Sequence, residues 1–420
     1  MERKKNGFLP NRSTTDALIQ VIENWSDSLD KKLNVHAVFF DFSKEFDLVQ
    51  HDLLLKKLET YLPNWLIKWL ANYLVSRKQR VKVGEITSER KNVEAGVIQG
   101  SVLGPILFIL FIADINEYIP LDTNLAKYAD DIITYEIFKL LTQDRTQDSV
   151  DGISKWSHTN RTKLNTDKTK RMIIGKKDDI DTKIYLDGSE LEVVDEYKYL
   201  GIYVNDKLDW DEHWTHICKK INSTSYLIKT MKRFGFREEI LINIYRSLVL
   251  GQIISSAVVL CSVSNKTLQE MEMTQSKFLK IIGISSDVAQ NKYKIAKIPD
   301  LIDNHCLNLL RKILSDENHP ITKGLVKREE LSTRYRFPFR IEKCNSERHQ
   351  NTFLQKYLRL LEKEKFELKS IKNLKQNNTD QSHSILEEPT TSIPMVKCDK
   401  CGNLFKNSRG LKIHEGKKHK

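Results

Sequence analysis

The sequence predicts an α+β fold in which an antiparallel sheet with helices precedes a mostly helical region and a small C-terminal ββα unit. Short apolar runs that end in aspartate, at residues 35–42 and 124–131, indicate buried strands. Helical periodicity dominates after residue 209, and paired cysteines and histidines with metal-ligand spacing lie near the C-terminus. A chain of 420 residues is long enough for several domains with a hydrophobic core.

The composition is that of a soluble globular protein, with 40% hydrophobic and 30% charged residues. The longest apolar run, residues 102–113, is too short to span a bilayer and includes a glycine and a proline. The charged N-terminus has no apolar stretch behind it, so it does not look like a signal peptide. We therefore expect an intracellular protein, in the nucleus or the cytoplasm, with no membrane partner.

The net charge of +12 is compatible with two interpretations. Basic proteins of this size often bind a polyanion, most often nucleic acid, but a solvated basic surface is equally compatible with the charge. The six cysteines do not form a disulfide framework, because four are scattered singly and only Cys398 and Cys401 lie close together. This usage is typical of a reducing compartment with one metal site.

Periodicity and helix breakers predict the elements of the first half in order. A first helix is capped by Thr14 or Thr15 and has one apolar face. Pro63 separates the next two helices. The predicted helices after the first cover residues 52–61, 64–75 and 101–118, and a polar helix leads to Trp156. The predicted strands cover residues 35–42, 80–83 with 91–93 as a hairpin pair around Gly84, and 124–128 with 132–135.

The second half changes from strands to helices. Strands are predicted near residues 171–174, 182–186 and 197–204, and helices over residues 214–234, 237–260 and 266–282. Residues 372–396 are rich in Asn, Gln, Ser, Thr and Pro, which is typical of a disordered linker.

Three aspartates lie where strands end. Asp41 follows a hydrophobic strand, and Asp130 with Asp131 forms the tip of a predicted hairpin. A carboxylate near a buried strand is costly unless it has a cation as partner. Each aspartate taken singly fits an ordinary turn, but carboxylates that converge from different strands suit two Mg²⁺ (or Mn²⁺) ions about 3.5–4 Å apart, as nucleotidyl transfer requires.

Six sequence segments stand in a specific order along residues 7–215. They include FDFSKEFD at 40–47, GVIQGSVLGP at 96–105, YADD at 128–131 and YKYLG at 197–201. Together they resemble the motifs of reverse transcriptases from non-LTR (LINE-like) retrotransposons, and the helical part to about residue 320 more loosely resembles jockey-like elements. The resemblance implies an RNA-directed DNA polymerase with a right-hand palm of antiparallel sheet and helices, partial fingers and a helical thumb.

The resemblance assigns the reacting groups by position. Asp41, Asp130 and Asp131 match the aspartates that bind the catalytic metals. Lys168 matches the lysine that protonates pyrophosphate as a general acid, although without the resemblance it is an ordinary surface lysine. Glu45 replaces a small residue that is usual in the first motif, and it adds a charge beside the site.

Three further residues match the family's nucleotide-binding positions. Phe46 matches the aromatic steric gate that excludes a 2′-hydroxyl, although a core phenylalanine is the alternative. Gln99 matches the glutamine that touches the incoming nucleotide, and Gly100 lets the backbone approach it closely. A helix N-terminal turn at Gly100 is compatible with the same role. The YKYLG segment matches a hairpin that grips the primer.

The C-terminal residues resemble a C2H2 zinc finger. Their Zn²⁺ ligands would be Cys398, Cys401, His414 and His419, at a spacing typical of tetrahedral zinc sites. Phe405 and Leu411 fall at the two core positions of a ββα finger. Because Gly410 and Ile413 offer no hydrogen bond to a base edge, we expect sequence-tolerant binding of DNA or RNA.

The expected organisation has four parts: palm with partial fingers over residues 1–205, helical thumb and C-terminal region over 206–371, linker over 372–396, and zinc finger over 397–420. The expected partners are an RNA template, a DNA primer or target DNA, and dNTPs, with protein partners left open. Relative to the family pattern the chain is expected to be N-terminally truncated. A catalytically inactive retroelement remnant and a zinc-finger nucleic-acid-binding protein remain as alternatives.

Overall fold

The computed structural model describes residues 13–139, 144–176, 182–327 and 337–364, and the backbone of two short strands beyond them. The chain divides into two compact units, Met1–Lys365 and Phe366–Lys420. In the described part of the chain, the helices are all too short or too polar to cross a membrane.

The strands, in chain order, are β1 (Asn34–Phe40), β2 (Lys78–Gln79), β3 (Lys82–Val83), β4 (Ile86–Thr87), β5 (Lys91–Asn92), β6 (Asn124–Tyr128), β7 (Asp131–Phe138), β8 (Lys170–Ile174), β9 (Tyr185–Leu186), β10 (Ser189–Glu190), β11 (Glu196–Tyr199), β12 (Ile202–Asn205), β13 (Val396–Lys397) and β14 (Leu404–Phe405). The helices are α1 (Thr14–Asp30), α2 (His51–Leu58), α3 (Asn64–Leu74), α4 (Leu103–Phe111), α5 (Thr146–Thr159), α6 (Asp211–Arg233), α7 (Glu238–Ile244), α8 (Gly251–Ile254), α9 (Ala257–Leu260), α10 (Asn265–Ile282), α11 (Ser286–Asn291), α12 (Ile298–Ser315), α13 (Pro320–Gly324), α14 (Glu347–Gln350) and α15 (Phe353–Lys363).

A four-stranded antiparallel sheet with the order β6-β7-β1-β8 lies at the centre of the first unit. Strand β1 is buried on both faces, which explains why its sequence is a nearly continuous apolar run. On one face Phe39 contacts Trp25 of α1 and stacks on Tyr197 of β11. On the other face the core includes Val38 and Trp156, so helices and the β11–β12 hairpin enclose the sheet. The mixed helix-and-sheet class predicted from the sequence is confirmed.

The N-cap of the first helix lies one or two residues earlier than predicted. Ser13, rather than Thr14 or Thr15, is the N-cap: its hydroxyl accepts a hydrogen bond from the Asp16 backbone, and the Asp16 carboxylate accepts one from the Ser13 backbone. This reciprocal capping box satisfies two otherwise unpaired N–H groups. The predicted cap was therefore wrong, because the pattern of apolar residues does not show where the first donor is satisfied.

The predicted helix over residues 101–118 is shorter in the structure. Helix α4 ends at Phe111, and a 3-10 turn, Ala113–Glu117, follows it. Within that turn the Asp114 carboxylate accepts hydrogen bonds from Lys57 Nζ at 2.7 Å and Trp156 Nε1 at 2.9 Å. The chain thus leaves the helix at a point where a polar side chain joins two neighbouring elements.

The predicted hairpin pair around Gly84 forms with a different register. Strand β2 pairs with β5, and β3 pairs with β4 across the two residues Gly84 and Glu85. Gly84 has φ of 59°, a left-handed conformation that favours glycine, and this conformation forms the tight turn between β3 and β4. The result is a long exposed ribbon of two successive ladders.

The helical region from α6 onward confirms the change of pattern after residue 209, although one predicted helix is interrupted twice. The predicted helix over 237–260 is interrupted by a π-helical turn, Tyr245–Leu250, and by a break at Ser256. The strand predicted over 182–186 covers only Tyr185–Leu186.

Helix α1 also holds the C-terminal part of the first unit. The Glu23 carboxylate accepts hydrogen bonds from the Leu354 backbone at 2.7 Å and from Thr352 Oγ1 at 2.9 Å. The Asp30 carboxylate accepts hydrogen bonds from the backbones of Asn345 and Ser346. We call this group of carboxylate contacts the α1 clasp, because it joins a helix near the start of the unit to the segment that closes it.

Most of the second unit lies outside the described residues. Its described part is the β13–β14 pair, in which Val396 is opposite Phe405. The linker prediction at 372–396 falls almost entirely outside the described residues, and the zinc ligands Cys398, Cys401, His414 and His419 lie outside them too.

Candidate active site

Strand pairing brings the three predicted aspartates to one end of the sheet. Phe40 of β1 is opposite Ile132 of β7, so the register brings Asp41, which follows β1, next to Asp131, the first residue of β7. Tyr128 pairs with Asp131 across the two-residue turn of Ala129 and Asp130. Residues that are far apart in sequence thus form one carboxylate group, where β1 ends and β7 begins.

The turn that carries Asp130 is in an unusual backbone conformation. Ala129 has φ of 55°, in the left-handed region that non-glycine residues seldom occupy. Such a conformation costs on the order of 1 kcal/mol and persists only where the surroundings enforce it. Here Ala129 is buried and the β6–β7 ladder holds both sides of the turn.

The carboxylates perturb one another. Burial and then the charges of Asp130, Asp41 and Glu45 raise the pKa of Asp131 to about 6. Burial and the charge of Asp41 also raise the pKa of Asp130. Asp131 as a residue is solvent-exposed, so the group can be reached by a cation from solution. Like charges held this close favour either protonation or a bound cation.

Glu45 belongs to the same group. Burial raises the pKa of Glu45, and the charges of Asp130, Asp41 and Asp47 add to the effect. The unusual charge of the first motif is therefore within electrostatic reach of the predicted metal ligands.

Lys168 approaches the carboxylates from the loop after α5. Its Nζ atom lies 3.9 Å from Asp41 Oδ2, and its side chain is 69% exposed. The loop is held beside Asp41 by backbone hydrogen bonds: Asn165 N donates to Asp41 O at 2.8 Å, and Ser43 N donates to Lys163 O at 2.8 Å. An exposed lysine beside an acidic group can deliver a proton to a leaving group.

Thr169 was missed from the sequence as a site residue. Its hydroxyl accepts a hydrogen bond from Asp41 N at 3.3 Å, so it contacts the backbone that carries the first aspartate. Its position next to Lys168 was the only available signal, since a buried threonine has no distinctive pattern.

Phe46 lies beside the carboxylate group and stacks on Phe108 of α4, with ring centroids 4.8 Å apart. It is only partly buried and packs against the core rather than within it. Its other side thus stays available to solvent, which is compatible both with the predicted gate and with a supporting core residue.

Gln99 and Gly100 are exposed on the loop before α4. Gln99 Nε2 donates to Asp47 Oδ1 at 3.4 Å, and Gly100 has φ of 78°, a conformation that glycine tolerates. Ser101 Oγ accepts a hydrogen bond from Gly104 N at 2.9 Å and so starts the helix. The helix N-terminal turn therefore forms, and the exposed Gln99 is hydrogen-bonded to Asp47 of the first motif.

A buried histidine joins the first two motifs. His51 Nε2 lies 2.9 Å from Gly96 O, while Gly96 N donates to Val49 O at 2.8 Å. A Cβ at Gly96 would lie 2.9 Å from Asp47 O, so the two segments pack too closely for any side chain there. His51 is thus a scaffold residue that joins the first two motifs.

Two tyrosines of the β11–β12 hairpin border the carboxylate group. Burial and then the charges of Asp41 and Asp131 raise the pKa of Tyr197 to about 12, so its phenol stays neutral beside them. Burial likewise raises the pKa of Tyr199. The hairpin predicted from YKYLG thus lies against the sheet next to the carboxylate group.

The donor set fits a hard divalent cation, because carboxylate oxygens are the ligands that Mg²⁺ and Mn²⁺ prefer. Among the described residues, no group of three or more His, Cys, Asp or Glu side chains is already arranged as a metal site. The charge of Asp41 contributes to the raised pKa of Glu45, Asp130 and Asp131, so all three groups lie within its electrostatic influence.

The first half of the chain is similar to known proteins. Residues 1–204 match the family described as reverse transcriptase (RNA-dependent DNA polymerase). The RNA-directed DNA polymerase from mobile element jockey of Drosophila melanogaster is 26% identical over 315 residues, which cover 71% of this chain and 34% of that protein. The probable RNA-directed DNA polymerase from transposon BS of the same species is 31% identical over 217 residues, covering 49% and 24%. Residues 1–204 are thus similar to a reverse transcriptase domain, and similar proteins come from mobile elements.

The chain spans about a third of the length of the jockey protein that it matches. A telomerase structure from Candida tropicalis, in complex with a fragment of telomeric RNA, is also similar, with a TM-score of 0.37 and 13% identity over 73% of this chain and 50% of that chain.

Proposed function

We propose that this chain is an RNA-directed DNA polymerase of a non-LTR retrotransposon, which extends a primer 3′ end with dNTPs on an RNA template. The observation that carries the proposal is the meeting of Asp41, Asp130 and Asp131 at the ends of β1 and β7, in a reverse transcriptase domain. A polymerase needs such a carboxylate group where the primer end and the triphosphate meet.

Asp41, Asp130 and Asp131 would hold Mg²⁺ or Mn²⁺, which lowers the pKa of the primer hydroxyl and neutralises the triphosphate. In the reaction the 3′-hydroxyl would release its proton to solvent, its oxygen would form a bond to the α-phosphorus, and the bond from that phosphorus to the bridging oxygen of pyrophosphate would break. Lys168 would donate its ammonium proton to the leaving pyrophosphate. Its 3.9 Å distance from Asp41 Oδ2 supports this assignment.

Binding of the nucleotide is assigned to the exposed side of the first two motifs. Phe46 would contact the sugar and exclude a 2′-hydroxyl, with Phe108 supporting its ring. Gln99 would contact the incoming nucleotide, and Gly100 would allow the backbone to approach it. The exposure of Gln99 and Gly100 supports this assignment.

The proposed organisation keeps the expected boundaries: palm with partial fingers over 1–205, thumb and C-terminal region over 206–371, linker over 372–396, and a zinc finger over 397–420. The ligands Cys398, Cys401, His414 and His419 would bind Zn²⁺ and add sequence-tolerant contacts to DNA or RNA. An intracellular location, nuclear or cytoplasmic, follows from such substrates.

Primer extension on poly(rA)/oligo(dT) with dTTP and Mg²⁺ tests the proposal. Wild-type protein should extend the primer, and Asp130→Ala should abolish extension. Asp52→Ala is a matched control, because Asp52 is exposed and forms only a surface ion pair with Arg161. If wild type extends no further than Asp130→Ala, the chain is an inactive remnant or a nucleic-acid-binding protein.

A further inference from the structure

The three aspartates of the candidate site are held by different parts of the fold. Asp131 is the first residue of β7, and the β6–β7 ladder closes the turn that carries Asp130 on both sides. Asp41, in contrast, follows Phe40, the last paired residue of β1, and so lies beyond the strand ladder. The position of Asp41 therefore depends on contacts outside the sheet.

Those contacts come from residues 163–169, which we call the clamp loop. Both backbone groups of Asp41 are hydrogen-bonded to it. Asp41 N donates to Thr169 Oγ1 at 3.3 Å, and Asp41 O accepts from Asn165 N at 2.8 Å. Thr169 is 0% exposed, so its hydroxyl is held by packing beside the first aspartate. The clamp loop thus does for Asp41 what the ladder does for the other two aspartates.

The clamp loop also carries the proposed proton donor. Lys168 N donates to Asn165 Oδ1 at 3.2 Å and to Asn165 O at 3.3 Å, and Thr169 N donates to Asn165 O at 2.8 Å. The side chain and backbone of Asn165 therefore close a tight turn. The Lys168 side chain leaves this turn and ends 3.9 Å from Asp41 Oδ2. One short segment thus sets the position of a predicted metal ligand and its distance from the proton donor.

We propose that Thr169 and Asn165 are positioning residues: the Thr169 hydroxyl fixes Asp41 as a metal ligand, and the Asn165 carboxamide fixes Lys168 beside it. This inference rests on the proposed polymerase function and gives roles to two residues that touch neither substrate nor metal. A polar group that orients a metal ligand typically contributes about 10- to 100-fold to metal affinity. Misplacement of a reacting group by about 1 Å can cost about 100-fold in rate.

Metal binding tests the role of Thr169 without any polymerase activity. Mn²⁺ is titrated into the full metal-free chain, without primer or nucleotide, and the free ion is followed by electron paramagnetic resonance. The binding that Asp130→Ala removes is assigned to the site. Thr169→Val keeps the shape of the side chain but removes the acceptor for Asp41 N, so the Kd for Mn²⁺ should rise by about tenfold. Thr169→Ser keeps the hydroxyl and should bind nearly as tightly as wild type.

Thr134→Val is the matched control for loss of a buried threonine hydroxyl. Thr134 of β7 is 1% exposed, and its Oγ1 lies 3.1 Å from Ser149 Oγ. This variant should lower the Tm and leave the Kd for Mn²⁺ unchanged. If Thr169→Val does not fold, Thr169→Ala removes the same acceptor with a smaller side chain. Wild-type Mn²⁺ affinity in the folded Thr169 variant, or an equal loss in Thr134→Val, would overturn the role of Thr169.

A double-mutant cycle tests the role of Asn165 in single-turnover primer extension. Asn165→Ala should lower the rate by about tenfold in the wild-type chain and have no further effect in Lys168→Ala, because a residue that acts through Lys168 then has nothing to position. Asn165→Ser, whose hydroxyl can accept the same hydrogen bond, should recover part of the rate. The Mn²⁺ affinity of Asn165→Ala should stay at the wild-type value, since the bond to Asp41 O comes from the backbone. Equal rate losses in both backgrounds would overturn this role.

The outcomes separate these roles from the proposed function. If the wild-type chain does not extend a primer, the proposed function fails and the role of Asn165 falls with it, while the Mn²⁺ titration still decides whether Thr169 fixes Asp41. If the wild-type chain extends a primer but Thr169→Val and Asn165→Ala lack their expected effects, the polymerase assignment stands and both positioning roles are wrong.

Discussion

Lys168 Nζ lies 3.9 Å from Asp41 Oδ2, although Asp41 follows β1 and Lys168 precedes β8, far along the chain. The loop that carries Lys168 is tied to the first motif by the hydrogen bond from Asn165 N to Asp41 O. The ammonium group of Lys168 thus places a transferable proton next to the predicted metal ligands.

Replacing Lys168 should therefore slow the chemical step. We expect Lys168→Ala to lower the single-turnover rate by about 100-fold, because general acid catalysis typically contributes that much or more. Lys168→Arg should also lower the rate and flatten the alkaline limb of the pH–rate profile, since arginine does not release its proton. The exposed Lys155→Ala on α5 is the control. A wild-type rate and pH profile in Lys168→Ala would reject the role.

Asp131 should make the stability of the metal-free protein depend on pH. Its pKa is raised to about 6, so protonation stabilises the fold below the ordinary value of 3.8, and this stability is lost as the pH rises through about 6. Mg²⁺ should restore it above pH 6. Asp131→Asn should raise the metal-free Tm at pH 7.5 by about 1–3 °C and abolish the Mg²⁺-induced shift. Scanning fluorimetry from pH 5 to 8, with and without Mg²⁺, measures both; an undiminished Mg²⁺ shift in the variant would contradict the assignment.

Glu45 should influence the same titration. Because its charge contributes to the raised pKa of Asp131, Glu45→Gln should lower the pH at which Mg²⁺ begins to stabilise the protein. The substitution should also reduce repulsion of the triphosphate and lower the KM for dTTP. Glu94→Gln, an exposed carboxylate in the same region, is the comparison. An unchanged pH midpoint would separate Glu45 from the site.

Phe46 should control sugar selection. Phe46→Val removes the ring that Phe108 supports, and it should raise incorporation of ribonucleotides relative to deoxynucleotides by about tenfold or more. Phe46→Tyr should keep the discrimination because the ring remains. The ratio of kcat/KM for rUTP and dTTP is the measurement. Unchanged rejection of ribonucleotides by Phe46→Val would leave Phe46 as a core residue only.

The α1 clasp should stabilise the C-terminal part of the first unit. Asp30 is 3% exposed at its side chain and accepts backbone hydrogen bonds from Asn345 and Ser346. Asp30→Ala leaves these donors unpaired and should destabilise the segment by about 1–3 kcal/mol. Hydrogen exchange should then increase over residues 345–354. Uniform exchange across the unit instead would mean that the clasp has no local role. Asp27→Ala, which removes only an exposed ion pair, is the control.

The sequence predicted the strands and helices well where their burial is local. The apolar run of β1 and the acidic hairpin of β6 and β7 were confirmed, because a strand buried on both faces has a continuous apolar pattern. The prediction of one helix over residues 101–118 was wrong because side chains far along the chain decided where α4 ends. Asp114 meets Trp156 and Lys57 at the end of α4, and neither partner can be inferred from the helix itself.

The sequence by itself determined the types of residue in the candidate site and their order, since motifs of this kind retain their spacing. It also predicted two features that lie outside the described residues, the linker and the zinc ligands. Only the tertiary structure decided that Asp41 lies next to Asp131, that the charge of Glu45 acts on Asp131, and that Lys168 reaches Asp41. The physical reason is that periodicity reports which residues are buried, whereas the register between β1 and β7 decides which residues meet.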